Sequence, residues 1–408
     1  HTRYISVTGV QTCALPIFGH LTLTTGTDGI RALGGSSNPY DGTGIGIVVV
    51  DSGVDAGHFS LRDASNNSRV IYSQDFTGEG RTDDPYGHGT HVATIAAGNG
   101  MISSGAYEGI ASNAKVINLR VLGSTGTGSI SGILAALDWI YANRANATYN
   151  MKVVNLSLGA NAVDSYTIDP LCIAVRKLVD AGIVVVAAAG NEGKDANGAK
   201  IYGQIHSPGI EPSAITVGAA NTYGTDTRSD DVMTSYSSRG PTRSFYTDTL
   251  GVRHFDNLVK PDLVAPGNKL IAAESSVSGN GYNYLVTQTP SLDAGVSTSQ
   301  AKRQMYLSGT SMATPAVAGA VALMLQANPK LTPNTVRMLL GYTAQTINGA
   351  NSFEQGAGEL NVDGAVRMAK IVRQDLTLAT LLNTPLLTSA APAPSSSIAP
   401  MPLTAASE

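Results

Sequence analysis

A three-layer α/β/α fold with a mostly parallel central sheet follows from three features of this sequence. Short, nearly unbroken apolar runs recur along it, the pattern of strands buried on both faces. Helical-period segments separate them, as parallel crossovers require. The 408 residues are 42% hydrophobic and only 14% charged, enough to bury a sizeable core.

In chain order, Gly19 to Thr43 is rich in Gly, Thr and Ser and reads as a loop-rich approach to the first strand. Strands are predicted at Ile45 to Val50, Lys115 to Val121, Lys152 to Leu158, Ile183 to Ala188, Ala214 to Val217 and Pro261 to Ala265. Helices fit Gly89 to Ala97, Ile130 to Asn143, Pro170 to Ala181, Pro315 to Ala327 and Thr332 to Tyr342. Residues 18–370 are read as one domain and 371–408 as a C-terminal extension. From about Ser389 that extension is dominated by Ala, Pro and Ser, too poor in large apolar residues to offset its ordering entropy. There is no internal repeat.

The net charge of −4 and the lack of a dense Lys/Arg run argue against a nucleic-acid partner. The longest apolar stretches, Ile183 to Ala189 and Ala316 to Leu325, fall short of the roughly 20 residues of a membrane span, so no membrane partner is expected. Gly42 to Gly46 resembles a nucleotide loop, but it precedes a strand where a dinucleotide fingerprint follows one, and it reads as a turn.

Residues 1–17 are set apart. Val7 to Ile17 is the translation of a common sequencing-library adapter, and His1-Thr2-Arg3 matches the same oligonucleotide, so this stretch is read as a non-native leader. Genomic reads crossing the junction near Phe18 into source coding sequence would overturn that reading. With Cys13 set aside, Cys172 stands alone on a predicted helix as a small core residue.

Three motifs carry chemistry. Leu307-Ser308-Gly309-Thr310-Ser311-Met312-Ala313-Thr314-Pro315 puts a serine on a glycine-led turn before an apolar helix. Gly87-His88-Gly89-Thr90-His91-Val92-Ala93 offers a histidine at another helix start, and the first strand runs into Asp51-Ser52-Gly53. Peptide hydrolysis needs a nucleophile, a base and a group that orients the base, and Ser311, His88 and Asp51 supply one of each. Taken singly, Ser311 is a helix cap, Asp51 a turn residue and His88 a loop histidine. Together they stand in the order Asp, His, Ser, one of the known arrangements of this triad. His88 and His91 do not make a zinc pair, because the glutamate of a His-Glu-x-x-His site is missing.

These motifs resemble those of the subtilases, the subtilisin-like serine peptidases, over about Asp41 to Val366. The resemblance extends to Tyr236-Ser237-Ser238-Arg239-Gly240-Pro241, Lys260 to Gly267 and Gly356-Ala357-Gly358. Two positions depart from it: Thr94 stands where glycine commonly ends the histidine motif, and Ala316 where histidine commonly follows the proline. It implies that Asn191, in Ala187-Ala188-Ala189-Gly190-Asn191, donates into an oxyanion hole with the Ser311 N–H. It also implies that an extended substrate is clamped between Leu119 to Gly128, including Leu122 and Gly126, and Ser157, Leu158 and Gly159. The pocket for the residue before the cut would use Ala188, Ala189 and Gly190, with Glu192 at its rim, favouring large apolar or mixed side chains.

The implied protein is a secreted, monomeric endopeptidase acting on polypeptides, with an acyl-enzyme and no catalytic cofactor. A signal and a folding-assisting propeptide are expected upstream. Structural calcium is a family feature, but Gly98 to Gly105 lacks a carboxylate, so no site is carried over. Asp83, Asp84, Asp226, Asp230 and Asp231 read as solvated loop acids, with calcium binding the alternative. Two rival functions are a narrow-specificity maturation peptidase and a non-catalytic binding scaffold.

Overall fold

Successive side chains of a strand point to opposite faces, and the first strand, Gly46–Asp51 (β1), shows how this builds three layers. Ile47 and Val49 join the apolar cluster on one face of the sheet, whereas Val48 and Val50 join the cluster on the other. The computed structural model describes residues 20–34, 39–277, 281–375 and 384–388.

The remaining strands are Val70–Asp75 (β2), Lys115–Arg120 (β3), Met151–Leu156 (β4), Val184–Ala188 (β5), Ile215–Asn221 (β6), Val232–Met233 (β7), Phe245–Thr247 (β8), Arg253–Phe255 (β9), Leu263–Pro266 (β10), Leu270–Ala273 (β11) and Gln304–Leu307 (β12). The central sheet runs β10-β6-β5-β4-β1-β3-β2, all parallel, with short β7 antiparallel to β6. Strand order reverses around β1, which places Asp51 at the strand-end crevice where open α/β sheets hold their ligands.

Helices His20–Thr24 (α1), Thr27–Gly34 (α2), His88–Ala97 (α3), Ile130–Asn143 (α4), Pro170–Asp180 (α5), Tyr284–Gln288 (α6), Thr310–Ala327 (α7), Pro333–Thr343 (α8), Ser352–Gln355 (α9) and Val362–Ile371 (α10) complete the described elements. One face of the sheet is covered by α3, α7 and α10, the other by α4 and α5. Among the described residues α7 is the one helix long and apolar enough to cross a membrane by composition, and it is buried in the core.

All six predicted strands and five predicted helices are present, with ends shifted by a few residues. The loop-rich approach is overturned: α1 and α2 fill much of it. Ile30 is wholly buried and Arg31 pairs with Asp28 one turn away, so tertiary contact stabilises a helix whose composition is loop-like. Strand β2 was not foreseen because it is an edge strand with every residue half-buried. Helix α10 lies in the pattern beyond the last predicted helix. Cys172 is buried on α5, as expected, and its thiol is pushed up by burial. Leu387 pairs back onto Val372, while residues 1–17 and 389–408 lie outside the described residues.

Candidate active site

Asp51 ends β1 and is fully buried. Its Oδ1 accepts the Ser52 N–H at 2.7 Å and lies 2.7 Å from His88 Nδ1. His88 is the first residue of α3. The helix can approach so closely because Gly89 follows it: a Cβ there would run into the Gly53 carbonyl and press on Asp51. Burial of the His88 ring opposes protonation, but the charge of Asp51, the bond to it and the charge of Asp84 together outweigh that and raise its pKa.

Asp84 ties these two segments together. Its carboxylate accepts from Ser52 Oγ at 2.8 Å, Gly87 N at 2.8 Å and Thr90 N at 2.7 Å, and Ser52 Oγ in turn accepts from Gly89 N at 2.9 Å. The expectation of a solvated loop is therefore wrong for Asp84, which is fully buried, its carboxyl pushed up to about 6 by desolvation. It is wrong for Asp231 too, buried beside Glu359. Asp83 is half exposed and pairs with Arg81. With its oxygens taken by protein donors, Asp84 is not arranged for calcium, and among the described residues no three His, Cys, Asp or Glu side chains converge on a metal position. His91 is buried among the Leu270 and Met305 carbonyls, its pKa pushed down to about 3 by burial.

Ser311 is the second residue of α7, so its N–H belongs to the first turn, where backbone donors lack intrahelical acceptors. Pro315 lies four residues on and has no N–H to give the Ser311 carbonyl. That carbonyl instead accepts from Ser157 Oγ at 2.8 Å, and Ser311 Oγ donates to the Ser157 carbonyl at 3.0 Å. Asn155 Nδ2 donates to Ser157 Oγ at 3.0 Å from below. Among the described hydrogen bonds none joins Ser311 to His88.

Asn191 is oriented by its neighbour Thr310. Its Oδ1 accepts both the Thr310 N–H at 2.9 Å and the Thr310 hydroxyl at 3.0 Å, which commits the amide nitrogen to donating. Asn191 and Ser311 line one hollow of about 210 Å³ together with Leu158, Gly159, Ala188 and Gly190. His88 lines an adjoining cleft of about 390 Å³ with Leu122, Gly126, Ser157, Leu158 and Gly159. The expected wall residues thus come together, with one correction. Ala189 does not line the pocket; its side chain is buried with Cys172, Ile205 and Ile210.

Sequence reasoning missed four contributors. Thr310 sits inside the quoted serine motif and Asp84 three residues before the quoted histidine motif, where their spacing from Ser311 and His88 was a usable signal. Tyr86, which walls the cleft by packing against Gly126, is two residues before His88. His206 lines the same hollow as Ser311 and has no local signal at all.

A buried aspartate on a helix-start histidine, beside a serine at a second helix start and an amide fixed as donor, is the constellation of a serine hydrolase built on a three-layer α/β/α scaffold. The Subtilase family profile matches residues 42–358. Serine protease AprX of Bacillus subtilis (strain 168) is 36% identical over 332 residues, 80% of this chain and 66% of that protein. Subtilisin E of the same strain is 33% identical over 343 residues, 84% of this chain and 71% of that protein. A solved structure described as a cold adapted subtilisin-like serine proteinase superposes with a TM-score of 0.54 at 28% identity, covering 79% of this chain and 90% of that one. This chain belongs to the subtilase family of serine peptidases.

Proposed function

We propose that the chain is a secreted endopeptidase that hydrolyses polypeptides through Asp51, His88 and Ser311. The 2.7 Å contact of buried Asp51 with His88 Nδ1, facing a cleft walled by the segment that holds Ser311, carries this reading. An extended peptide laid between 122–128 and 157–159 would present its carbonyl to Ser311. The Ser311 hydroxyl turns from the Ser157 carbonyl to His88 Nε2, gives up its proton there and attacks. The imidazolium is stabilised by Asp51, and the oxyanion takes hydrogen bonds from the Ser311 N–H and Asn191 Nδ2. His88 then protonates the leaving amine, and water repeats the cycle on the acyl-enzyme.

The open clefts and the backbone-directed clamp support broad specificity with an apolar preference before the cut. No step calls for a cofactor, and any calcium bound serves structure. A monomer matured with an upstream propeptide completes the proposal. Its test is labelling of the purified chain with a fluorophosphonate probe, beside Ser311→Ala, with circular dichroism on both. Labelling confined to the wild type is expected. A folded, unlabelled wild type would favour the binding scaffold, and cleavage of casein at one site only would favour the narrow maturation peptidase.

A further inference from the structure

Strands β8 and β9 form a two-stranded hairpin separate from the central sheet. It is rooted on the chain that leaves the cleft wall: Phe245 N donates to the Val163 carbonyl at 3.0 Å, and Ser165 N donates to the Phe245 carbonyl at 2.8 Å. Gly159, on that wall, precedes Val163 by four residues, a span of at most about 14 Å. From this root the hairpin carries its turn into solvent. Every residue from Thr249 to Phe255 is exposed, and Leu250, at 86%, is the most exposed large apolar side chain among the described residues. A two-stranded hairpin alone is marginal in water, and this one is cross-braced by its rings. Phe245 and Phe255 meet at 5.5 Å between centroids, with the Arg253 guanidinium 4.5 Å over the first and that of Arg243 4.1 Å over the second. The register places all four on one face.

The acids of the hairpin are committed elsewhere. Asp248 holds His254 at 2.8 Å and accepts the Leu250 and Val252 N–H groups at 2.9 Å, while Asp256 accepts the Ser165 and Ser244 hydroxyls at 2.6 Å. Arg243 donates to Asn257 Oδ1 at 3.0 Å, and among the described residues neither it nor Arg253 forms an ion pair, exposed Asp164 beside Phe245 included. A guanidinium stacked on a ring keeps its in-plane N–H groups for a carboxylate. The face thus combines apolar surface with two unpaired cations, on a chain whose net charge is −4. We propose that this face of the β8–β9 hairpin is an exosite, holding an acidic, apolar stretch of an unfolded polypeptide substrate while another part of the same substrate lies in the cleft. The charge of the face selects the acidic stretch, and its continuity with the cleft wall through residues 160–165 selects the substrate as occupant. The identity of that occupant rests on the endopeptidase reading. A substrate held at both places is captured at lower concentration than a short one, so KM falls while the chemical step is unchanged.

The test uses internally quenched peptides that share one cleavable segment and carry extensions of about ten residues at both ends, each reaching about 33 Å. One has extensions of Asp and Leu, the other of Ser and Gly. The wild type is expected to cleave the Asp/Leu peptide with a KM at least about fivefold lower and the same kcat. Arg253→Glu and Leu250→Ser, both at exposed positions, are expected to abolish that advantage and to leave the Ser/Gly peptide within about twofold, and Arg253→Glu to pass the advantage to a Lys/Leu peptide. Equal KM values in the wild type, an advantage that survives Arg253→Glu, or a fall in kcat shared by both peptides overturns the proposal. So does a wild-type dimer in sedimentation velocity that Leu250→Ser makes monomeric, which gives the face to a second copy. A labelled Asp/Leu peptide lacking the cleavable segment is followed by fluorescence anisotropy, and its binding to the wild type and loss in Arg253→Glu are expected independently of Ser311. A folded chain that does not label with fluorophosphonate therefore overturns the endopeptidase reading, while the absence of anisotropy binding overturns the exosite.

Discussion

Replacing Asp51 by Asn removes a charge while keeping the shape, and its effects on rate and on pH dependence run in separate, checkable directions. The aspartate is fully buried and 2.7 Å from Nδ1, so its attraction for the imidazolium formed during attack is poorly screened. With charge centres about 4 Å apart and an effective dielectric of about 20, that attraction is about 4 kcal/mol. At about 1.4 kcal/mol per decade this is roughly 10³-fold in kcat, and loss of the correct tautomer brings the total to about 10⁴-fold. The wild-type His88 pKa is raised, and the base must be neutral to accept a proton. Activity is therefore lost as pH falls through that raised value. In Asp51→Asn the burial that lowers the pKa remains, while the partner's charge is gone, so the acid limb of kcat/KM moves to lower pH. The assay is a pH profile on titrated enzyme with one p-nitroanilide. A variant within tenfold of wild-type kcat, or an acid limb that stays in place, would refute the reasoning.

Asn191→Ala is expected to lower kcat by about 100- to 1000-fold with little change in KM, because the donor acts on charge that develops only in the transition state. Thr310→Val, which removes the hydroxyl that fixes Asn191 Oδ1, is expected to lose part of that factor, and steady-state kinetics beside Asn191→Ala should place it between wild type and that variant. Gly89→Ala drives a Cβ toward the Gly53 carbonyl and Asp51, and is expected to cost about 1–3 kcal/mol, read as a lowered Tm. Chelation with EDTA is expected to leave fluorophosphonate labelling of the folded chain intact at 25 °C, since no proposed catalytic step uses a metal; loss of labelling with full retention of the circular dichroism would contradict this.

What was legible in the sequence was what is local. The apolar run ending in Asp51 and the helix beginning at His88 are written in neighbouring residues, and the motifs around them carried the order of the triad. The positions of Leu122, Gly126 and Ser157 to Gly159 along the clefts were reachable through resemblance. What could not be read is set by approach from afar. His206 enters the hollow from a loop whose own composition says nothing of a pocket, and Asp84 is buried because Ser52, Gly87 and Thr90 all donate to it. Helices α1 and α2 look like loop in composition and are stabilised by packing on distant residues. Even Ala189, inside a well-matched motif, turns its side chain away because adjacent residues on an extended chain face opposite ways.

The exchange between Ser157 and Ser311 has a mechanical meaning. Pro315 withholds the amide that would have bound the Ser311 carbonyl within α7, so Ser311 is tied instead to Ser157 on the wall of the cleft. The Ser157 carbonyl that holds the resting hydroxyl belongs to the very segment along which a peptide would lie. On the proposed mechanism, a peptide in the groove and the Ser311 hydroxyl would meet at the same Ser157 segment, linking the two through one serine.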